Sequence, residues 1–211
     1  TFKMGSRFAN KIWNATRYIF SNLDGRHIVP VVRENLKEIE KWIIHSLNET
    51  ARNVRENLDS YRYSDASKAV YEFFWNNYCD WYVEGTKLSF KYGDEKEKDR
   101  AASVLLAVLE ESLRLLHPFL AFVTEEIYSK LPLKIITENR AKAGRQKILS
   151  NSAYASLLIN APFPDVQEER FNAEIDARFD VLKDLIGKVR GLRVECGLDP
   201  ASKINLAVMV T

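Results

Sequence analysis

The stretch V-Y-E-F-F-W-N-N-Y-C-D-W-Y-V-E, Val70 to Glu84, is the densest aromatic run in the chain: seven of the twelve residues from Tyr71 to Tyr82 are Phe, Trp or Tyr. At helical spacing Phe74, Asn77 and Trp81 fall on one row and Tyr71, Trp75, Tyr78 and Tyr82 on another, which predicts a helix that is aromatic around most of its circumference. Such a helix needs packing partners on every side, so it is expected at the centre of a helical assembly. A core role accounts for most of the rings. The far end is different, because Asp80, Val83 and Glu84 are expected to leave the core and meet a ligand there.

Working outward, Ser64 or Asp65 is expected to cap this helix, which runs to about Phe90 before Gly93 breaks it. Upstream, Pro30 suits a helical first turn, and Ile39, Trp42, Ile43, Leu47, Val54 and Leu58 recur at helical intervals to about Tyr61. The outer face of that helix carries Glu38, Lys41, Glu49, Arg52, Arg55 and Glu56, a mixture of signs that serves solubility. Downstream, Asp94 to Arg100 is a charged lead into a long aliphatic seam of Val104, Leu105, Val108, Leu109, Leu113, Leu116 and Phe119. Pro118 predicts a bend near His117, with helix resuming through Phe122, Val123, Ile127 and Tyr128.

The first helix, predicted from Lys3 to Asn22, buries Phe8, Ile12, Ala15 and Ile19. Its other flank carries Arg7, Lys11, Asn14, Arg17 and Tyr18 at steps of three and four, a basic and amide-bearing stripe with an aromatic ring at its end. The first 23 residues hold four basic side chains and no acid, and Lys134 to Lys147 sets five basic residues against Glu138, within a chain whose net charge is only +2. Two basic patches thus stand out from a balanced background. The stripe reads either as a solvated face or as a surface for a polyanion.

Lys130 to Asn151 is expected as a loop around a short extended piece at Leu133 to Thr137, and Leu157 to Asn160 with the following A-P-F-P as a connecting segment. Glu169 to Glu195 is a second long helical pattern, closing at Cys196-Gly197. Beyond the Asp199-Pro200 turn, Ile204, Leu206, Val208 and Val210 alternate as a strand. The expected organisation is a helical bundle over 1–165 and, over 166–211, a helix and strand that start a small α+β appendage continuing past Thr211.

With 46% apolar and 28% charged residues the composition is that of a globular protein, and no run approaches the ~20 apolar residues a membrane span needs. Cys79 and Cys196 suggest neither a disulfide framework nor a metal site, and both are expected to be reduced, buried and cytosolic. His27, His45 and His117 share no ligand spacing. No Gly-rich phosphate loop, Gly-x-Ser-x-Gly elbow or H-E-x-x-H motif occurs. The opening residues lack a signal peptide, and the chain is expected to begin partway through a longer protein.

These pieces resemble, nearly end to end, the anticodon-binding domain of the valyl-tRNA synthetase family. The segments that carry the resemblance are F-A-N-K-I-W-N-A-T-R-Y (Phe8 to Tyr18), K-W-I-I-H-S-L-N-E-T (Lys41 to Thr50), A-V-Y-E-F-F-W-N-N-Y-C-D-W-Y (Ala69 to Tyr82), L-L-H-P-F-L-A-F-V-T-E-E-I-Y (Leu115 to Tyr128) and V-R-G-L-R-V-E-C-G-L-D-P (Val189 to Pro200). Helix plus H-P-F alone would also fit the isoleucyl and leucyl relatives; W-N-A-T-R with C-D-W-Y is more similar to the valyl enzyme. Tyr18 departs from the family, which often has phenylalanine there. Lys3-Met4-Gly5-Ser6-Arg7 faintly resembles the ATP loop of class I synthetases, but no nucleotide-binding sheet pattern accompanies it.

The resemblance implies a mainly α helical bundle of the class I anticodon-binding type, with no cofactor of its own. It would be attached to catalytic and editing domains of a cytoplasmic parent that joins valine to its tRNA with ATP and Mg2+. The partner it implies is the anticodon stem-loop of valine tRNA. Asn14 would supply an amide to a base edge, Tyr18 and Val83 would hold unstacked bases, and Arg7, Lys11 and Arg17 would steer phosphates, in keeping with how single-stranded RNA is read. The alternatives are the isoleucyl enzyme's equivalent domain and a helical protein-interaction scaffold.

Overall fold

The computed structural model describes residues 2–143, 156–170, 172–199, 202–203, 205 and 207. It divides into two units, Thr1–Asn172 and Ala173–Thr211. Among the described residues the regular structure of the first unit is helical apart from a β-bridge at Val32. Helix α1 spans Phe2–Leu23, α2 Glu38–Asp59, α3 Tyr63–Glu72, α4 Glu84–Tyr92, α5 Glu95–Leu116, α6 Ala121–Tyr128 and α7 Leu133–Ala143.

The post of this bundle is α5. Asp94 caps it by accepting from Glu97 N at 2.7 Å. Every residue from Ala101 to Leu116 is buried, which includes Glu110, Glu111, Ser112 and Arg114. Two ion pairs make that burial tolerable: Arg114 Nη2 meets Glu110 at 3.0 Å one turn away, and Arg170 forks onto both Glu111 oxygens at 3.0 and 3.1 Å. At its end, the Pro118 bend predicted from sequence is present as a turn over His117 to Phe119, after which α6 resumes. His117 Nδ1 lies 2.9 Å from Thr124 Oγ1 across that bend.

The aromatic stretch joins α3 to α4, but Phe73–Val83 is wound as a π-helix and not as the α-helix predicted. Bonding to i+5 widens each turn, so rows drawn at 3.6 residues do not hold. The buried residues fall in adjacent pairs, Phe73 and Phe74, Tyr78 and Cys79, Tyr82 and Val83, which recur every four to five positions. One face is therefore core. Asn76 and Asp80 are exposed, while Trp75, Asn77 and Trp81 are half-buried. The α3 helix is not capped by Ser64 or Asp65 either: Arg62 holds the cap position and makes no side-chain capping bond.

Three other segments differ from expectation. Pro30 is not in a helix; residues 26–32 run extended along α5, where Val29 N donates to Ser103 Oγ at 2.9 Å and His27 N to Asp99 at 3.3 Å. The helix α2 begins only at Glu38, where Glu40 reaches back to accept from Lys37 N at 2.7 Å and also receives Arg100 Nε at 3.0 Å. The extended piece expected at Leu133 to Thr137 is the start of α7, with Ile136 N bonded to Pro132 O at 3.1 Å and Ile136 buried.

Residues 158–170 lack long regular structure, so side chains satisfy their backbone. Leu158 N donates to the Glu125 carboxylate at 2.9 Å; Pro162 O accepts from Arg114 at 2.9 Å and Pro164 O from Arg55 at 3.0 Å; Gln167 and Asn48 exchange two bonds of 2.9 Å. The second unit holds α8, Ala173–Glu195, which ends in a Schellman motif. Gly197 takes φ +64°, Gly197 N bonds Val194 O and Leu198 N bonds Arg193 O. Cys196 beside it is exposed, correcting the expectation that both cysteines are buried. The strand expected from Ile204 falls mostly outside the described residues.

Candidate nucleic-acid interface

The hydrophilic strip of α1 borders the π-helix, which Lys11 reaches, and α4, which Tyr18 reaches. At about 100° per residue, Arg7, Lys11, Asn14 and Tyr18 share one strip of α1, and Arg17 falls roughly 80° away from Arg7. Across from this strip, two contacts fix the register. Lys11 Nζ pairs with Asp80 Oδ1 at 2.7 Å and sits 5.0 Å from the centre of the Trp75 ring. Two turns on, Lys87 Nζ stands 5.6 Å over the Tyr18 ring.

At Gly85 a Cβ would lie 2.6 Å from Ile39 Cδ1, so a larger residue there would require the end of the Ile39 side chain to move. Thr86, buried at 4% exposure, turns its hydroxyl back to Val83 O at 2.7 Å. Asn14 stands exposed between the two contacts. Arg7 and Arg17 are exposed as well, and neither makes an ion pair among the described residues. Val83 belongs to the same neighbourhood but is only 6% exposed, so it offers a base no more than an edge. On the other flank of α1, Trp13 is 38% exposed beneath Lys130 Nζ at 5.2 Å.

The electrostatics are local. Burial works against the Lys11 ammonium, but the hydrogen bond to Asp80 and the nearby Cys79 and Glu84 outweigh it and hold its pKa above the ordinary value. Burial raises the Tyr18 phenol despite the opposing influence of Thr86 and Lys87. Between the helices, burial pushes the Cys79 thiol up to about 12, so it is an inert core group. Reasoning from sequence did not find Trp75, Thr86 and Lys87 as parts of this surface; the only local signal was the spacing of Asp80, Glu84 and Lys87 along one side of the rod.

An exposed amide flanked by a half-buried phenol and by lysines laid over aromatic rings is the chemistry that grips unstacked bases and their phosphates. Residues 40–209 match the family described as "Anticodon-binding domain of tRNA ligase". The chain belongs to that family. This anticodon-binding domain is 58% identical to valine–tRNA ligase of Treponema denticola over its whole length, 49% to that of Treponema pallidum over 98% of it, and 35% to that of Thermotoga maritima over 98% of it. The anticodon-binding domain spans 22%, 21% and 21% of these relatives' lengths respectively. Among its described residues no helix is long and apolar enough to cross a membrane, and no three His, Cys, Asp or Glu side chains form a group able to hold a metal ion.

Proposed function

We propose that the chain is the anticodon-recognition module of a valine–tRNA ligase, and that it reads the anticodon stem-loop of valine tRNA on the α1 face. The observation that carries this reading is the Asn14 amide, exposed between the Lys11–Asp80 pair and the Tyr18–Lys87 contact. Asn14 meets a base edge, Tyr18 stacks a neighbouring base, and Val83 closes the site from the π-helix. Arg7 and Arg17 take phosphates; Lys11, already paired, contributes to the same field more weakly. The parent joins valine to tRNA in the cytoplasm with ATP and Mg2+, through catalytic and editing domains elsewhere in its chain.

The test is a titration of this chain with valine tRNA, isoleucine tRNA and an unrelated tRNA across a salt series. Preference for valine tRNA is expected. For single-stranded contacts, log affinity should fall against log salt by about 0.7 per phosphate neutralised. Equal affinity for all three RNAs would identify a scaffold, and preference for isoleucine tRNA would identify the isoleucyl relative.

A further inference from the structure

The valine codons, GUN, require an anticodon whose second and third bases are A and C, and both bases present an exocyclic amine. A reader of amines must offer an acceptor and must not offer a donor. Asn14 fails that condition, because its amide carries both and a flip of the side chain serves an amine and a carbonyl equally. Lys11 and Lys87 are donors only. Among the side chains named on this face, only the Asp80 and Glu84 carboxylates are obligate acceptors.

Of these two, Asp80 is the one held in place. Its Oδ1 receives Lys11 Nζ at 2.7 Å, and Lys11 is itself fixed against Trp75, with only 30% of its side chain exposed. Glu84 pairs with Lys87 at 2.7 Å, but 57% and 50% of those side chains lie in solvent, and such a pair holds little in position. Asp80 is 47% exposed, and Lys11, which it grips, is one helical turn from Asn14. We propose that Asp80 is a specificity residue of this site: its carboxylate, oriented by Lys11, accepts from the exocyclic amine of an anticodon base and repels a carbonyl in the same place. Asn14 then positions the base and Asp80 decides which base is accepted. The proposal rests on the anticodon reading given above.

The experiment is an anisotropy titration of the chain with four stem-loop RNAs: the valine anticodon, the same loop with its C replaced by U, the same loop with its A replaced by inosine, and a loop with all three anticodon bases changed. Wild type should favour the valine loop over at least one of the two amine-to-carbonyl loops by roughly tenfold, the scale of one good base-edge contact. Asp80→Asn should lose that preference, and Asp80→Glu should retain most of it. Lys11→Ala should weaken both RNAs of the pair and, because the carboxylate loses the group that orients it, reduce their ratio in part, by less than Asp80→Asn does. If folded Asp80→Asn kept the full preference, or if Lys11→Ala abolished it to the same degree, Asp80 would be only an anchor for Lys11 and the proposal would fail with anticodon binding intact. If wild type bound the fully changed loop as tightly as the valine loop, anticodon reading itself would fail, and the proposal with it.

Discussion

Lys87 Nζ stands 5.6 Å over the Tyr18 ring, so α4 covers one face of that ring. A cation over one face leaves the other face of the ring for a base to stack on.

Removing the ring should cost binding on the scale of one stacked base. Tyr18→Ala is expected to weaken valine stem-loop binding by about 1 to 3 kcal/mol, and Tyr18→Phe to leave binding nearly unchanged because the face survives. Titration with circular dichroism to confirm folding separates the two. Wild-type affinity in Tyr18→Ala would move the stacking site elsewhere.

The Arg170–Glu111 pair carries another expectation. Both side chains are fully buried, at 0% exposure. Arg170→Ala should therefore destabilise the first unit by about 3 to 5 kcal/mol, while replacing both partners with Met and Leu should be close to neutral. Urea unfolding midpoints measure this. A loss under about 1 kcal/mol for the single substitution would contradict a tightly sealed pair.

Alkaline pH should unfold the bundle by a route its core dictates. Burial raises Tyr78 and Tyr82 well above the ordinary phenol and puts Cys79 near 12, so the folded state binds protons more tightly than the unfolded one. The stability they supply is complete below the unfolded values and is lost as pH rises through and beyond them, from about pH 8.5 for the thiol and 10 for the phenols. Denaturant midpoints should fall across that window, and an alkylating reagent at neutral pH should label the exposed Cys196 and spare Cys79. The two tyrosines should also differ. Tyr78 donates to Leu105 O at 2.7 Å, whereas the Tyr82 hydroxyl has no partner among the described residues. Tyr78→Phe should cost about 1 kcal/mol and Tyr82→Phe should cost nothing or stabilise.

Much of this architecture was legible because helical spacing is a local signal. The aliphatic seam of α5, the Pro118 bend and the buried side of α1 follow from residues three and four apart. The aromatic rod was legible as core but not as a π-helix, because an apolar pattern records which side chains are buried and not whether the backbone bonds four or five residues on. The start of α7 was misread because L-K-I-I-T is β-branched and follows a proline; Pro132 opens a helix there, and Asn139 ties it to Ile28 O at 2.6 Å. At the site, the α1 strip could be read from its period. The pairing of Lys11 with Asp80, 69 residues apart, could not.

The most direct test of anticodon reading is to move the anticodon. An unrelated tRNA given the valine anticodon loop, and valine tRNA given the unrelated loop, are titrated against the wild-type chain and against Asn14→Ala. Binding should follow the loop in wild type, and the difference between the two RNAs should shrink in Asn14→Ala. Binding that followed the tRNA body regardless of its loop, with Asn14→Ala unchanged, would contradict the account.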